Sequence, residues 1–306
     1  MSYIHWFFVA RALLRIIARM GLDSNGIKLL LYARKLGVDF ASTATIGRQF
    51  NHADPAEIRR IFLSAGEAML DPATLQTMLD DHNGFSEGIF RLLGAKATES
   101  FDASDFEGST HVHDFNLPIS DRFKASYTTV FDGGTLEHVF NYPTALKNCM
   151  EMIVEGGHFL GISPVNNFPG HGFYQFSPEL FFRIFSVEQG FEILDMIFVE
   201  DYSDAPWYRV ADPKSLGHRV TFENTRPAYL LLIACRRSIE PIFQSFPQQS
   251  DYAATWNSGQ PLGGFETGGN RAVSRITKAA IRRLRRFVDP GAIRFTPSDL
   301  TRFDPF

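Results

Sequence analysis

Three short β-prone runs in this chain each end in an acid at a turn, and that recurrence limits the fold more than any other feature. Ser100-Phe101 runs into Asp102, with Asp105 close behind. His113-Asp114-Phe115-Asn116 follows, and then Phe131-Asp132-Gly133-Gly134 leads into Thr135-Leu136-Glu137-His138. In an open α/β sheet, ligands bind beyond the carboxyl ends of the strands. A carboxylate there can accept both hydroxyls of a ribose while a second polar group reads an adenine edge. The pattern points to an adenosine-containing ligand.

Apolar periodicity supplies the rest of such a sheet. Residues 41–46, 97–101, 127–131, 158–163, 191–199 and 228–235 read as strands, and 25–35, 86–93 and 143–154 as helices. Asp54-Pro55 and Asp71-Pro72 each place an N-cap before a proline at the first helical position. Ser177-Pro178-Glu179 opens a phenylalanine-rich helix that ends near Gly190. This alternation predicts a Rossmann-like, doubly wound, mainly parallel sheet with helices on both faces and a closing antiparallel strand. The expected organisation is a helical segment over 1–38, an α/β domain over 39–237 with a helical insertion at about 54–94, and a linker plus basic helix over 238–306.

Charge is unevenly spread. Residues 1–20 and 271–286 hold 10 of the 30 basic residues and no acid, leaving 20 against 34 acidic residues elsewhere. An acidic body argues against extended nucleic-acid binding, while the basic ends favour a local anionic contact. Both ends read as amphipathic helices with a cationic face. Such helices can lie on an anionic membrane or dock on the acidic body, and docking is slightly favoured. The apolar run at 4–10 stops at Arg11, too short to span a bilayer and without a clear cleavage site. The expected location is cytoplasmic, with contact to the inner face of a membrane as the other reading. Cys149 and Cys235 lie far apart without metal spacing and read as buried free thiols. No metal is expected.

Several residues could carry chemistry, each with a plainer alternative. Asp102 is a candidate ribose acceptor or a helix cap. Asp114, Phe115 and Asn116 could frame an adenine, or make an ordinary turn before Leu117-Pro118. Asp132 and Gly133 would let backbone approach a ligand closely. His138 is a base, a substrate-orienting group or a structural histidine. The stretch from Asn166 to Phe176 is a dense polar and aromatic loop beyond a strand end. From it Asn166, His171, Tyr174 and Gln175 could line a substrate pocket, or simply pack over the core.

These strand ends, with Thr135-Leu136-Glu137-His138 and the pair 191–199 and 228–235, resemble class I S-adenosylmethionine-dependent methyltransferases of the type 11 kind over about residues 40–237. The resemblance implies S-adenosylmethionine as cofactor, held by Gly47, Asp102, Asp114, Phe115, Asn116, Asp132 and Gly133. It implies methyl transfer to a small molecule or glycan precursor, with His138 and His171 at the reacting group. One feature departs from the pattern. The first strand leads into Ile46-Gly47-Arg48-Gln49 rather than a glycine-rich loop, and 55 residues separate Gly47 from Asp102, where about 20 is usual for such a unit. A catalytically inactive, methyltransferase-like binding or scaffold protein is the alternative, with peripheral membrane contact through the basic ends as one form of it. A nicotinamide-dependent oxidoreductase is disfavoured by the lack of a Gly-x-Gly-x-x-Gly turn.

Overall fold

A computed structural model describes residues 21–68, 71–258 and 293–306. Among these residues the main sheet has nine strands: β1 Ser42–Ile46, β2 Ala97–Asp102, β3 His111–Val112, β4 Tyr127–Asp132, β5 Ile153–Asn166, β6 Phe191–Glu200, β7 Trp207–Val210, β8 Ala228–Arg236 and β9 Leu300–Phe303. Their spatial order is β9-β7-β6-β8-β5-β4-β1-β2-β3. The strands from β5 through β4, β1 and β2 to β3 pair in parallel, whereas β8 lies antiparallel between β5 and β6. The sheet is Rossmann-like and mainly parallel, and it has the expected closing antiparallel strand.

Eight described α-helices accompany the sheet: α1 Ser24–Lys35, α2 Pro55–Ser64, α3 Pro72–Asp80, α4 Glu87–Leu92, α5 Tyr142–Met152, α6 Pro178–Ile184, α7 Pro213–Leu216 and α8 Ser250–Ser258. Side chains alternate across a strand with period two, so a sheet covered on both faces needs apolar residues at successive positions. β8 meets that need. Leu230, Leu232 and Ala234 enter one core with residues of α5 and α6, while Leu231 and Ile233 enter the other with α1 to α4. Asp54 caps α2 by accepting from the Glu57 N–H at 2.8 Å, and Asp71 caps α3 through the Ala73 and Thr74 N–H groups. The insertion α2–α4 accounts for the long spacing from Gly47 to Asp102.

Three boundaries differ from the sequence expectations. The helix expected over 143–154 ends at Met152, and β5 starts at once with Ile153. Ile153 and Val154 are β-branched and suit the pleated edge, where Ile153 pairs with Tyr127. Gly156 and Gly157 therefore lie inside the strand. The expected phenylalanine-rich helix is also shorter, closing at Ile184 before a separate 3-10 turn. Finally, the segment expected to be only linker and tail returns to the sheet: Leu300–Phe303 pairs antiparallel with Trp207–Val210. The basic helices expected near each end lie outside the described residues. Cys149 and Cys235 are free and buried. Among the described residues, no helix is long and apolar enough to cross a membrane.

Candidate functional site

The order β2-β1-β4 makes β1 the point where successive crossovers leave in opposite directions, and the crevice beyond such a point is where open α/β sheets bind ligands. At the end of β1, Gly47 adopts φ +71° and its N–H bonds the Phe101 carbonyl at 2.7 Å. The next two side chains replace a glycine loop with specific contacts. Arg48 donates to Glu87 Oε1 at 2.6 Å and to the Glu107 carbonyl at 2.8 Å, and its guanidinium lies 4.1 Å from the Phe85 ring centre. Gln49 is buried and folds back, its Nε2 donating to the Ile46 carbonyl at 2.6 Å. Its Oε1 is buried without a partner. A Cβ on Gly133 would sit 2.2 Å from that oxygen, so the glycine leaves the room that the folded-back Gln49 side chain fills.

At the end of β2, Asp102 is half-buried, and its backbone carbonyl accepts the His113 N–H at 2.7 Å. No hydrogen bond engages its carboxylate among the described residues. The neighbouring segment is engaged differently. Asp114 Oδ1 accepts from the Asn116 N–H at 2.9 Å and from its Nδ2 at 2.8 Å, and these bonds hold its carboxyl below the usual range. Asn116 in turn accepts the Asn141 N–H at 2.8 Å. The Phe115 ring is 4 % exposed and packs with Phe101 and His113. The structure thus places this trio as a turn and an inward-facing ring.

The end of β4 is the most unusual part of the crevice. Asp132 is fully buried; its Oδ1 accepts from the Thr135 and Leu136 N–H groups, and its Oδ2 has no partner. Burial, and then the charge of Glu137, push its carboxyl well above the usual range. Glu137 is also fully buried, with Oε1 3.2 Å from His171 Nε2 and Oε2 unpartnered. That bond raises the His171 pKa, while burial lowers that of His138. The two imidazoles meet edge to face with centres 4.8 Å apart.

The long aromatic loop delivers His171 to this point. Gly172, at φ +66°, lets the loop pass against Glu137, where a Cβ would meet the glutamate Cγ at 2.9 Å. The Phe173 N–H then bonds the Glu137 carbonyl at 2.8 Å. Asn166 donates to Asn224 Oδ1 at 3.0 Å, Gln175 accepts the Phe168 N–H at 3.0 Å, and the Tyr174 hydroxyl donates to the Phe140 carbonyl at 2.7 Å. Those three side chains fasten the loop, and His171 is the loop residue that reaches the cavity.

That cavity has a volume of about 210 Å³, and its walls include Gly133, Glu137, His171, Asp23, Asp201 and Tyr229. Burial raises the carboxyls of Asp23 and Asp201. Sequence reading passed over Gln49, Asp23, Asp201 and Tyr229. Asp201 carried the same signal as the others, an acid just past a strand end, whereas nothing local marks Gln49.

No family model matches the sequence, and no curated protein matches it. Among solved structures, the chain is similar to a branched-chain polyamine synthase from Thermus thermophilus, with 13% identity and a TM-score of 0.35. That match spans 72% of this chain and 60% of the synthase. The chain is also similar to a putative methyltransferase from Bacillus halodurans, at 9% identity and TM-score 0.35, over 69% of this chain and 99% of the other. A third similar structure is an S-adenosylmethionine-dependent methyltransferase from Thermotoga maritima, a possible histamine N-methyltransferase. The figures are 14% identity, TM-score 0.34, and 76% and 94% coverage.

Proposed function

We propose that the chain transfers a methyl group from S-adenosylmethionine to a small-molecule or glycan-precursor acceptor. The observation that carries this reading is the line of hydrogen-bond acceptors left open along the ends of β2, β1 and β4. Asp102 is free to take a ribose diol. Gln49 Oε1 and Asp132 Oδ2, buried and unpartnered, match the N–H groups of an ammonium. The residues fit both ends of the cofactor, although the glycine loop is replaced. When bound, S-adenosylmethionine supplies an electrophilic methyl carbon on a positively charged sulfur.

The protein's own part in such a reaction is placement and proton handling. A rigid crevice that aligns acceptor and methyl carbon can supply roughly 7–11 kcal/mol. Glu137 fixes the His171 ring at the cavity wall. Partial desolvation lowers the pKa of its neighbour His138, whose ring lies 4.8 Å from that of His171 and is the group offered to take a proton from a hydroxyl or ammonium acceptor. A base of this kind adds about 10²–10⁴-fold.

One observation favours a second reading, a binding protein without catalysis. Arg48 ties the loop after β2 to α4 through Glu107 and Glu87, across the mouth between β1 and β2. Calorimetry with S-adenosylmethionine and its demethylated product separates the two. Saturable binding is expected, and silence at millimolar ligand would leave only the binding-protein reading. His171→Ala is expected to reduce turnover more than cofactor affinity, and unchanged turnover would remove His171 from the reaction.

A further inference from the structure

We propose that Glu137, His138 and His171 form a binding site for one divalent transition-metal ion, zinc being the reference case. One donor atom from each residue can be chosen so that all three lie within 4.8 Å of one another. Bonds of about 2.0–2.1 Å in a tetrahedral site place neighbouring nitrogen and oxygen donors roughly 3.3 Å apart. Glu137 Oε1 and His171 Nε2 already stand at 3.2 Å. Rotation of the exposed His138 ring brings in the third donor.

An independent observation points to a cation here. Glu137 is fully buried, and its second oxygen, Oε2, has no hydrogen-bond partner. Asp132, five residues earlier on the same segment and also fully buried, has an open oxygen of its own. Among the described residues, the half-buried His171 ring alone bonds the Glu137 side chain, and it meets one of the two glutamate oxygens. An ion between Glu137 and the imidazoles supplies the missing positive charge where burial makes an unpaired carboxylate most costly.

The ligands are held by two segments that are themselves locked together. Glu137 and His138 lie on one 3-10 turn, and His171 comes from the loop that Gly172 and the Phe173 N–H press against that turn. Two imidazoles and one carboxylate are also a donor set that leaves coordination positions open. Two of the three donors, Glu137 and His171, line the 210 Å³ cavity. There an ion polarises an oxygen or nitrogen of whatever occupies the cavity, and lowers the pKa of a bound hydroxyl or water.

This inference stands apart from methyl transfer, because ion binding is read without the cofactor. Untagged full-length protein, stripped of metal by a chelator that is then removed, is titrated with zinc chloride in a calorimeter. One equivalent of saturable binding is expected. His138→Ala and His171→Ala should each weaken it at least about tenfold, and His82→Gln, outside the site, should leave it unchanged. Cobalt(II) should give visible absorption bands that His171→Ala abolishes. Absence of saturable zinc binding overturns the proposal, and so does binding that survives both alanine substitutions unaltered. Should His171→Ala fail to fold, the exposed His138 ring allows the same decision alone.

Discussion

Asp132 and Asp195 are both buried aspartates on strands of one sheet, and they live in opposite circumstances. Asp195, on β6, accepts from Arg209 Nε at 2.9 Å, Arg209 Nη2 at 2.7 Å, the Tyr32 hydroxyl at 2.8 Å and the Met196 N–H at 3.0 Å. Those partners come from α1, β6 and β7, so the carboxylate ties the antiparallel side of the sheet to the helix above it. Asp132, at the end of β4, has only backbone N–H partners on one oxygen and none on the other. A satisfied buried charge fixes a packing arrangement, whereas an unsatisfied one lowers stability and waits for a ligand. The closing half of the sheet is tied together by satisfied polar contacts, whereas the carboxyl ends of β1 and β4 keep buried acceptors without partners.

The largest effect that tests this contrast is on stability. Arg209→Met leaves Asp195 buried with a lone tyrosine hydroxyl and a backbone N–H. Stranding a buried charge costs about 3–5 kcal/mol, and the half-exposed guanidinium puts this case at the lower end, about 3 kcal/mol. Urea unfolding of the full chain measures it. An unchanged midpoint would mean that the antiparallel half is held by its apolar layers alone.

Asp132→Asn is expected to behave in the opposite way. It replaces a carboxyl whose charged form burial and Glu137 already disfavour, so the unfolding free energy should stay within about 1 kcal/mol of the parent. Affinity for S-adenosylmethionine should fall at least about tenfold, or about 1.4 kcal/mol. Measured on the same preparation, a large stability loss with intact binding would reverse the assignment of roles.

The contrast also shows what local sequence can and cannot encode. The two apolar faces of β8 and the caps Asp54 and Asp71 were legible, because period and capping are properties of neighbouring residues. The strand ends Asp102 and Asp132 were legible for the same reason. The β7–β9 pair was not, because four residues at 207–210 find their partner some 90 residues later, at 300–303. The division of labour within Glu137-His138 was hidden too. Only the 3-10 turn, closed against the aromatic loop, decides that the glutamate points inward and the histidine outward. Gln49 depends on the gap left by Gly133, just past the end of another strand.

The smallest expected effect lies at the sheet's far edge and concerns pH. Asp299 precedes β9 and is buried, yet it is satisfied: it accepts His218 Nε2 at 2.9 Å and the Thr221 N–H at 3.0 Å. Burial works against its charge, but the Thr221 and His218 bonds win and keep its carboxyl below the usual range. The same bond to Asp299 raises the pKa of the exposed His218. A histidine whose folded pKa is raised stabilises the fold fully below its unfolded pKa of about 6.5, and that gain disappears as pH rises through the folded value. His218→Ala should therefore lower the urea midpoint in mildly acidic solution. The parent and variant curves should converge on the alkaline side, once the parent's His218 is neutral. A difference that grows with pH would show that His218 supports β9 through packing rather than charge, and would break the parallel with Asp195.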